Sequence, residues 1–195
     1  IDRKYGNWFP NMFLSYNINA NNTLRLTYTG SIERPNLQYI SPFVIYSDTK
    51  DYTSGNPYLK PMTTNRVGLD YTFMGNLIVG MYYSVSNNMI SQVISMDEDS
   101  RLTETKWENA RKNKNLGLNF MYFYNRLKWL NATFMAFGAY VDSKATTIYT
   151  KAHSEYAQAT LMMNLNFVLD SKRIWTSGLN ARYVSAEKNC DTKIE

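Results

Sequence analysis

The sequence predicts an all-β protein, an antiparallel up-and-down transmembrane β-barrel with about eight strands present as an arc of a larger barrel. Three observations predict it. Apolar and polar residues alternate with a period of two in run after run, from residues 12–18 to residues 175–183. The polar partners are mostly short and neutral: Asn17, Asn19, Asn119, Asn131, Asn164, Asn166 and Asn180 among Thr, Ser and Gly. Asparagine is depleted from ordinary strands, and a water-exposed sheet face is usually rich in Lys and Glu, so this face suits a crowded, hydrated lumen. Third, connections alternate in length, tight at Ala20, Met74, Tyr124 and Asp170 and longer at Arg34, Asp97 and Asp142. A soluble sandwich or calycin-like barrel would share the alternation but calls for a more charged polar face.

The first expected strand, Asn11 to Asn19, sets Met12, Leu14, Tyr16 and Ile18 against Phe13, Ser15, Asn17 and Asn19, and Ala20 to Asn22 turns the chain. The second sets Leu24, Leu26, Tyr28, Gly30 and Ile32 against Arg25, Thr27, Thr29, Ser31 and Glu33. A long connection over residues 34–61 follows. The third strand places Val67, Leu69, Tyr71 and Phe73 on one face, and Met74-Gly75-Asn76 makes a hairpin into the fourth, with Leu77, Val79, Met81, Tyr83 and Val85, extending to about Met96. After a charged connection over 97–103, the fifth strand spans about 106–124, with Leu116, Leu118, Phe120 and Tyr122 on one face, and Tyr124 to Arg126 turns the chain. The sixth, about 128–141, ends apolar on both faces, which leaves its register open beyond Thr133. A polar connection over 142–152 leads to the seventh strand, with Ala159, Leu161, Met163, Leu165 and Phe167. Asp170 to Lys172 turns into the eighth, with Trp175, Leu179, Ala181 and Tyr183, and a polar tail begins at Ala186. Aromatics gather where strands meet connections, with Phe73, Phe167 and Trp175 at one end and Trp8, Trp107, Tyr140, Tyr156 and Tyr183 at the other. Trp129 matches the first group in height. This is the pattern of two interfacial girdles.

Composition agrees. The 195 residues are material for one domain, 1–195, and 15% are aromatic, with 16 Tyr and 4 Trp, which suits apolar and wet zones in contact. No apolar run reaches the roughly 18 residues a membrane helix needs, but transmembrane strands escape such a scan because only alternate residues face lipid. The net charge of +5 is spread over turns and loops, without a basic helix or an aromatic–basic stripe, so nucleic acid is not an expected partner. A single Cys190 makes no internal disulfide. No signal peptide is seen, so an exported chain would be processed or an excerpt. With short turns in the periplasm and long loops outside, both chain ends fall on the extracellular side, which also leads us to expect an excerpt. The inward Gly68, Gly80, Gly117 and Gly178 would leave an eight-strand barrel poorly filled, so the first and eighth strands are not expected to close on each other.

Residues 34–61 hold four of the five prolines, Pro35, Pro42, Pro57 and Pro61. Each removes a ladder donor and fixes φ, so no continuous strand runs through. Tyr39, Phe43, Tyr46, Tyr52 and Tyr58 give the segment its own apolar material, and an ordered loop folded over one end of the sheet is expected. Within it, Gly55-Asn56-Pro57 is a turn signature, with Asn before Pro extended and Gly tolerant of positive φ.

Arg34-Pro35, then Ser41-Pro42-Phe43, then Gly55-Asn56-Pro57-Tyr58-Leu59-Lys60-Pro61 resemble the "RP…L.PF…GNP.LKPE" signature in the barrel of TonB-dependent outer-membrane receptors, particularly the Bacteroidetes outer-membrane β-barrel family. Phe9-Pro10-Asn11 with Leu14-Ser15-Tyr16, and the run Leu24-Arg25-Leu26-Thr27-Tyr28, are similar to the strands leading into that loop. Met62 stands where the family most often has Glu, and the likeness extends, weakening, over about residues 8–185. The resemblance implies a bacterial outer-membrane location in contact with lipid. It implies ligand-gated import of an iron chelate, glycan or peptide through a barrel closed by a plug domain and energised by the partner TonB, with the plug and the TonB-box segment expected in upstream sequence. An alternative in another class is a docking barrel that receives a surface lipoprotein and transports nothing.

No catalytic set, cofactor site or metal site is expected. His153, the only histidine, is expected to be a solvated loop residue with no Cys or second His spaced to bind a metal. Asp97, Glu98 and Asp99 lack the glycine and terminal glutamate of a calcium loop, so a solvated charge cluster is favoured. Arg25, Glu33, Arg66 and Asp70 on the polar faces favour lumenal charge pairing over contact with a ligand or plug. Tyr39, Tyr46, Tyr52 and Tyr58 are the candidate ligand contacts, although loop packing is the commoner use of such rings. The motif residues Arg34, Pro35, Pro42, Phe43, Gly55, Asn56, Pro57, Leu59, Lys60 and Pro61 are expected to be architectural.

Overall fold

The computed structural model describes residues 8–96, 101–146, 151–170, 172 and 174–185, and the backbone of 188–194. Period-two patterning becomes a single sheet. Its main path runs through β1 (Asn11–Asn19), β2 (Asn22–Glu33), β5 (Met62–Phe73), β6 (Leu77–Met96), β7 (Thr103–Leu127), β8 (Leu130–Thr146), β9 (Lys151–Val168) and β10 (Thr176–Val184). All neighbours on that path pair antiparallel in sequence order. β1 pairs only with β2 and β10 only with β9, so the described sheet is an open arc, as expected. The loop contributes α1 (Leu37–Ile40), β3 (Val44–Tyr46) and β4 (Asp51–Ser54), and β11 (Lys188–Ile194) follows β10.

Register shows why the alternation matters. One cross-strand row reads Tyr16, Leu24, Tyr71, Val79, Phe120, Ala136, Leu161 and Tyr183, and its neighbour reads Leu14, Leu26, Leu69, Met81, Leu118, Gly138 and Ala159. Side chains alternate faces along a strand, so these rows make one coherent apolar face. Many of these residues stay open, Leu118 at 60% and Tyr16 at 64%. A face of exposed Leu, Met, Phe and Tyr across every strand is suited to hydrocarbon, not water. On β9 the apolar face spans residues 157–167, matching the roughly 9–11 residues with which a tilted strand crosses a bilayer. No helix among the described residues is long and apolar enough to span a membrane, which says nothing about strands.

Several boundaries differ from expectation. The β7–β8 turn falls at Lys128-Trp129, not at Tyr124 to Arg126, because a register shift between Tyr124 and Leu127 carries β7 further. Residues 142–146 and 151–152 are strand rather than connection, so β8 and β9 continue as a paired hairpin beyond the apolar band, where alternation no longer marks them. The register of β8 runs without a break from Leu130 to Thr146 against β9. The connection 169–175 is longer than the expected turn, so the strict alternation of connection lengths fails at the last two. The polar tail contains β11, which pairs with β9 above β10, so the two run in series along one neighbour. The bridge between them is Ser185, whose N–H donates to the Ala159 carbonyl (2.8 Å) and whose Oγ accepts from the Ala159 N–H (2.9 Å). Residues 97–99, expected to be a solvated acidic cluster, lie outside the described residues.

The turn at 73–76 came out as expected. Met74 and Gly75 have φ of 50° and 71°, and the Asn76 N–H donates to the Phe73 carbonyl at 3.1 Å, an ordinary N–H···O distance. Positive φ at both central residues gives the hairpin the right-handed twist of its strands. Trp129 stacks on Phe167 with centroids 6.3 Å apart, joining the turn-side aromatics. Two rings expected in the opposite girdle lie elsewhere: Trp107 is covered by the loop, and Tyr156 pairs with Val141 on the polar face.

Candidate functional site

Residues 34–61 fold into an ordered cap docked on the loop-side ends of β6 and β7. Asn36 caps α1 by accepting from the Gln38 N–H at 3.2 Å. β3 and β4 form a small hairpin, and β4 then lies parallel to β7, pairing Asp51–Ser54 with residues 103–106. Local sequence gives no sign of this pairing, because the partner residues lie 52 positions away along the chain.

The GNPYLKP string is the seat of the dock. The Asn56 N–H donates to the Tyr39 carbonyl (2.7 Å), its Oδ1 accepts from the Tyr58 N–H (2.9 Å), and its Nδ2 donates to the Trp107 carbonyl (3.0 Å). Leu59, 1% exposed, is the most deeply buried hydrophobic side chain among the described residues. Asn109 on β7 holds Lys60 as a second backbone would, its Oδ1 accepting from the Lys60 N–H (2.7 Å) and its Nδ2 donating to the Lys60 carbonyl (2.8 Å). The same Nδ2 donates to the Asn88 carbonyl (2.8 Å) at a bulge of β6, where Asn88 has φ of 57°. Ser54 Oγ donates to Glu104 (2.6 Å). Gly55 lacks the positive φ that its turn signature suggested. Its role is close approach, since a Cβ there would lie 1.9 Å from the Ser41 carbonyl oxygen.

Asn109→Ala removes both Lys60 bonds and the bond to the Asn88 carbonyl, three backbone partners in all, so the dock is expected to weaken by about 2 kcal/mol. Faster hydrogen exchange confined to residues 56–60 checks this.

The structure divides the four candidate tyrosines. Tyr39 stacks on Trp107 at 3.9 Å and is packing. Tyr46 and Tyr52 face each other across the β3–β4 hairpin at 5.8 Å, Tyr46 being 69% exposed. Tyr58, 83% exposed, stands apart, and Phe43 is 77% exposed. Below the cap, Arg34, Pro35, Tyr39, Met89, Ile90 and Trp107 line a cavity of about 600 Å³.

On the polar face, the Arg66 guanidinium lies 3.7 Å over the ring of Tyr82, and Tyr82 in turn occupies the space that a side chain at Gly117 would fill. Gly80 similarly leaves room for Asp70 and Asn119. Gly80 and Gly117, two of the inward glycines expected to leave this face empty, therefore make room for neighbouring side chains. A cavity of about 280 Å³ sits here, with Thr27, Thr29, Arg66, Asp70 and Asn119 on its walls. Arg25 and Asp70 are direct cross-strand partners, yet the ion pairs among the described residues are those of His153 alone, so the expected lumenal charge pairing is not formed. A further surprise is an apolar row on this face, Ile78, Met121, Met135 and Met162, where short polar residues were expected.

His153 is no solvated loop residue. It lies half-buried on β9, with Nε2 2.9 Å from Asp142 Oδ1 and 3.3 Å from Glu155 Oε1. A search for Cys and His spacing along the chain does not bring these three side chains together, because they lie on two strands. Strand pairing sets Asp142 directly opposite Glu155, and this register was the missing signal.

The model of the outer membrane protein beta-barrel family matches residues 1–195. No curated protein matches. Among solved structures, a mutant of the ferric enterobactin receptor PfeA from Pseudomonas aeruginosa, in complex with enterobactin, is similar at a TM-score of 0.52 and 16% identity, over 85% of this chain and 33% of that one. The siderophore receptor PirA from Pseudomonas aeruginosa is similar at 0.56 and 14%, over 85% of this chain and 37% of that one. At such identities the likeness shows the fold alone, and the chain spans about a third of these receptors' length. The apolar face is thus the lipid-facing wall and the polar face the lumenal wall of a bacterial outer-membrane barrel, and the chain belongs to the outer membrane protein beta-barrel family.

Proposed function

We propose that this chain forms part of the wall and external rim of a TonB-dependent receptor, importing a ligand through a barrel closed by a plug domain. The observation that carries the reading is the lumenal row Ile78, Met121, Met135 and Met162. A water-filled pore has no use for a methionine row, whereas a folded plug covers it, as in the plugged lumen of outer-membrane transporter barrels. The solved neighbours are a ferric enterobactin receptor and a siderophore receptor, so an iron chelate is the first ligand to test. The exposed rings of Tyr46 and Tyr58 are the rim contacts proposed for ligand capture, with Tyr52 backing Tyr46.

The test is uptake of a radiolabelled ferric siderophore panel by cells expressing the full-length protein, with and without TonB. Uptake is expected to fall to background without TonB, and Tyr46→Ala with Tyr58→Ala is expected to reduce capture while the folded, heat-resistant band on a gel persists. Equal uptake in both strains would overturn the transport reading, and unchanged uptake in the tyrosine variants would remove the rim contact.

A further inference from the structure

On the lipid-facing side of the β8–β9 hairpin, just beyond the apolar band, the sheet register gathers Asp142, His153 and Glu155. We propose that these three side chains form a divalent transition-metal site, with Zn²⁺ the fitting ion. Their donor atoms lie within 4.8 Å of one another, and the side chains are 20%, 34% and 31% exposed respectively.

The geometry is close to what coordination requires. A metal bound at about 2.0–2.2 Å from each donor, at tetrahedral or octahedral angles, sets donors about 3.0–3.4 Å apart. Nε2 already lies 2.9 Å from Asp142 Oδ1 and 3.3 Å from Glu155 Oε1. Only the two carboxylates need to close on each other, and a divalent cation removes the repulsion between them. Glu155 is also oriented from behind, because its other oxygen, Oε2, accepts from the Tyr140 hydroxyl, leaving Oε1 for the metal. Such an outer partner fixes a ligand's direction. One imidazole with two carboxylates suits the borderline first-row ions better than Ca²⁺ or Mg²⁺, which favour all-oxygen shells. Lys114 pairs across the strands with Asp142, and Lys144 with both His153 and Lys112, but none of these ammonium groups reaches ion-pair distance of the carboxylates. Binding displaces any proton that Nε2 carries.

The test uses tag-free, full-length protein in detergent, titrated with Co²⁺ as a spectroscopic probe and then with Zn²⁺ as competitor. A visible Co²⁺ band that Zn²⁺ displaces is expected in the wild type. His153→Ala should abolish it, Asp142→Asn should weaken binding about 10- to 100-fold, and Tyr140→Phe should weaken it by a smaller factor in that direction. Asp142→Asn keeps shape and strand pairing, so it decides the matter if His153→Ala does not fold. The absence of a displaceable band in the wild type, or Co²⁺ binding unchanged in Asp142→Asn, would show a hydrogen-bonded cluster only and overturn the site.

Discussion

Gly55→Val is expected to undock the cap and to lower the yield of folded, heat-resistant barrel. A Cβ at residue 55 would meet the Ser41 backbone, with the oxygen at 1.9 Å, the carbonyl carbon at 2.9 Å and the nitrogen at 3.0 Å. No flexible side chain can swing aside. Ser41 is itself fixed by its N–H bond to the Leu37 carbonyl (3.0 Å), and the next residue in the turn, Asn56, is bonded to Tyr39. Relief therefore requires the loop to separate from α1, at the upper end of overpacking costs, about 3 kcal/mol. Hydrogen exchange over residues 54–60 should become fast, and the folded band on a gel should weaken. Gly138→Ala is the control, because nothing lies within 4 Å of a Cβ there, and it should change neither measurement. Slow exchange retained in Gly55→Val would refute the close-approach account.

Leu59→Ala is expected to cost about 3 kcal/mol of cap stability, within the span usual for truncating a fully buried leucine. The hydrogen bonds of the Asn109 side chain reach the Lys60 backbone and involve no atom of Leu59, so they survive the change and the cap should loosen around a retained anchor. The expected observation is a lower temperature at which exchange over 54–60 becomes fast, with the exchange of β8 and β9 unchanged. Leu59→Met, which conserves volume, should cost less than about 1.5 kcal/mol. Equal behaviour of the alanine and methionine variants would mean that packing at Leu59 does not hold the cap.

What the sequence disclosed follows from the bilayer's demands. Where hydrocarbon meets one face, every second residue must be apolar, so Leu77 to Val85 and Leu116 to Tyr122 announce both strand and register. Outside the bilayer that demand ends. Residues 142–146 carry Asp, Ser and Lys on a strand whose pairing is fixed only by continuity with the hairpin below, and they looked like loop. The turn at Lys128-Trp129 escaped notice because Tyr124, Asn125 and Arg126 form an equally plausible polar break, and only the register shift decides between them. In the cap, the motif residues were legible as a turn. The reason for glycine was not, since Ser41 stands across a tertiary contact and not beside Gly55 in the chain. The His153 group was hidden for the same reason, its carboxylates lying on two strands.

The parallel seating of β4 on β7 also sets an order of events. Ser54 meets Glu104, Asn56 meets Trp107 and Lys60 meets Asn109, each across about fifty intervening positions occupied by β5 and β6. Closing loops of that length is a late step, and its contacts reward the chain only once the intervening hairpin stands. During assembly, then, the external segment stays unanchored until β7 has joined β6 in register, and the Asn88 bulge must form before Asn109 can grip both sides. Ordering of the cap is in this sense a clock reading: it marks the moment when the third long strand after it has found its place.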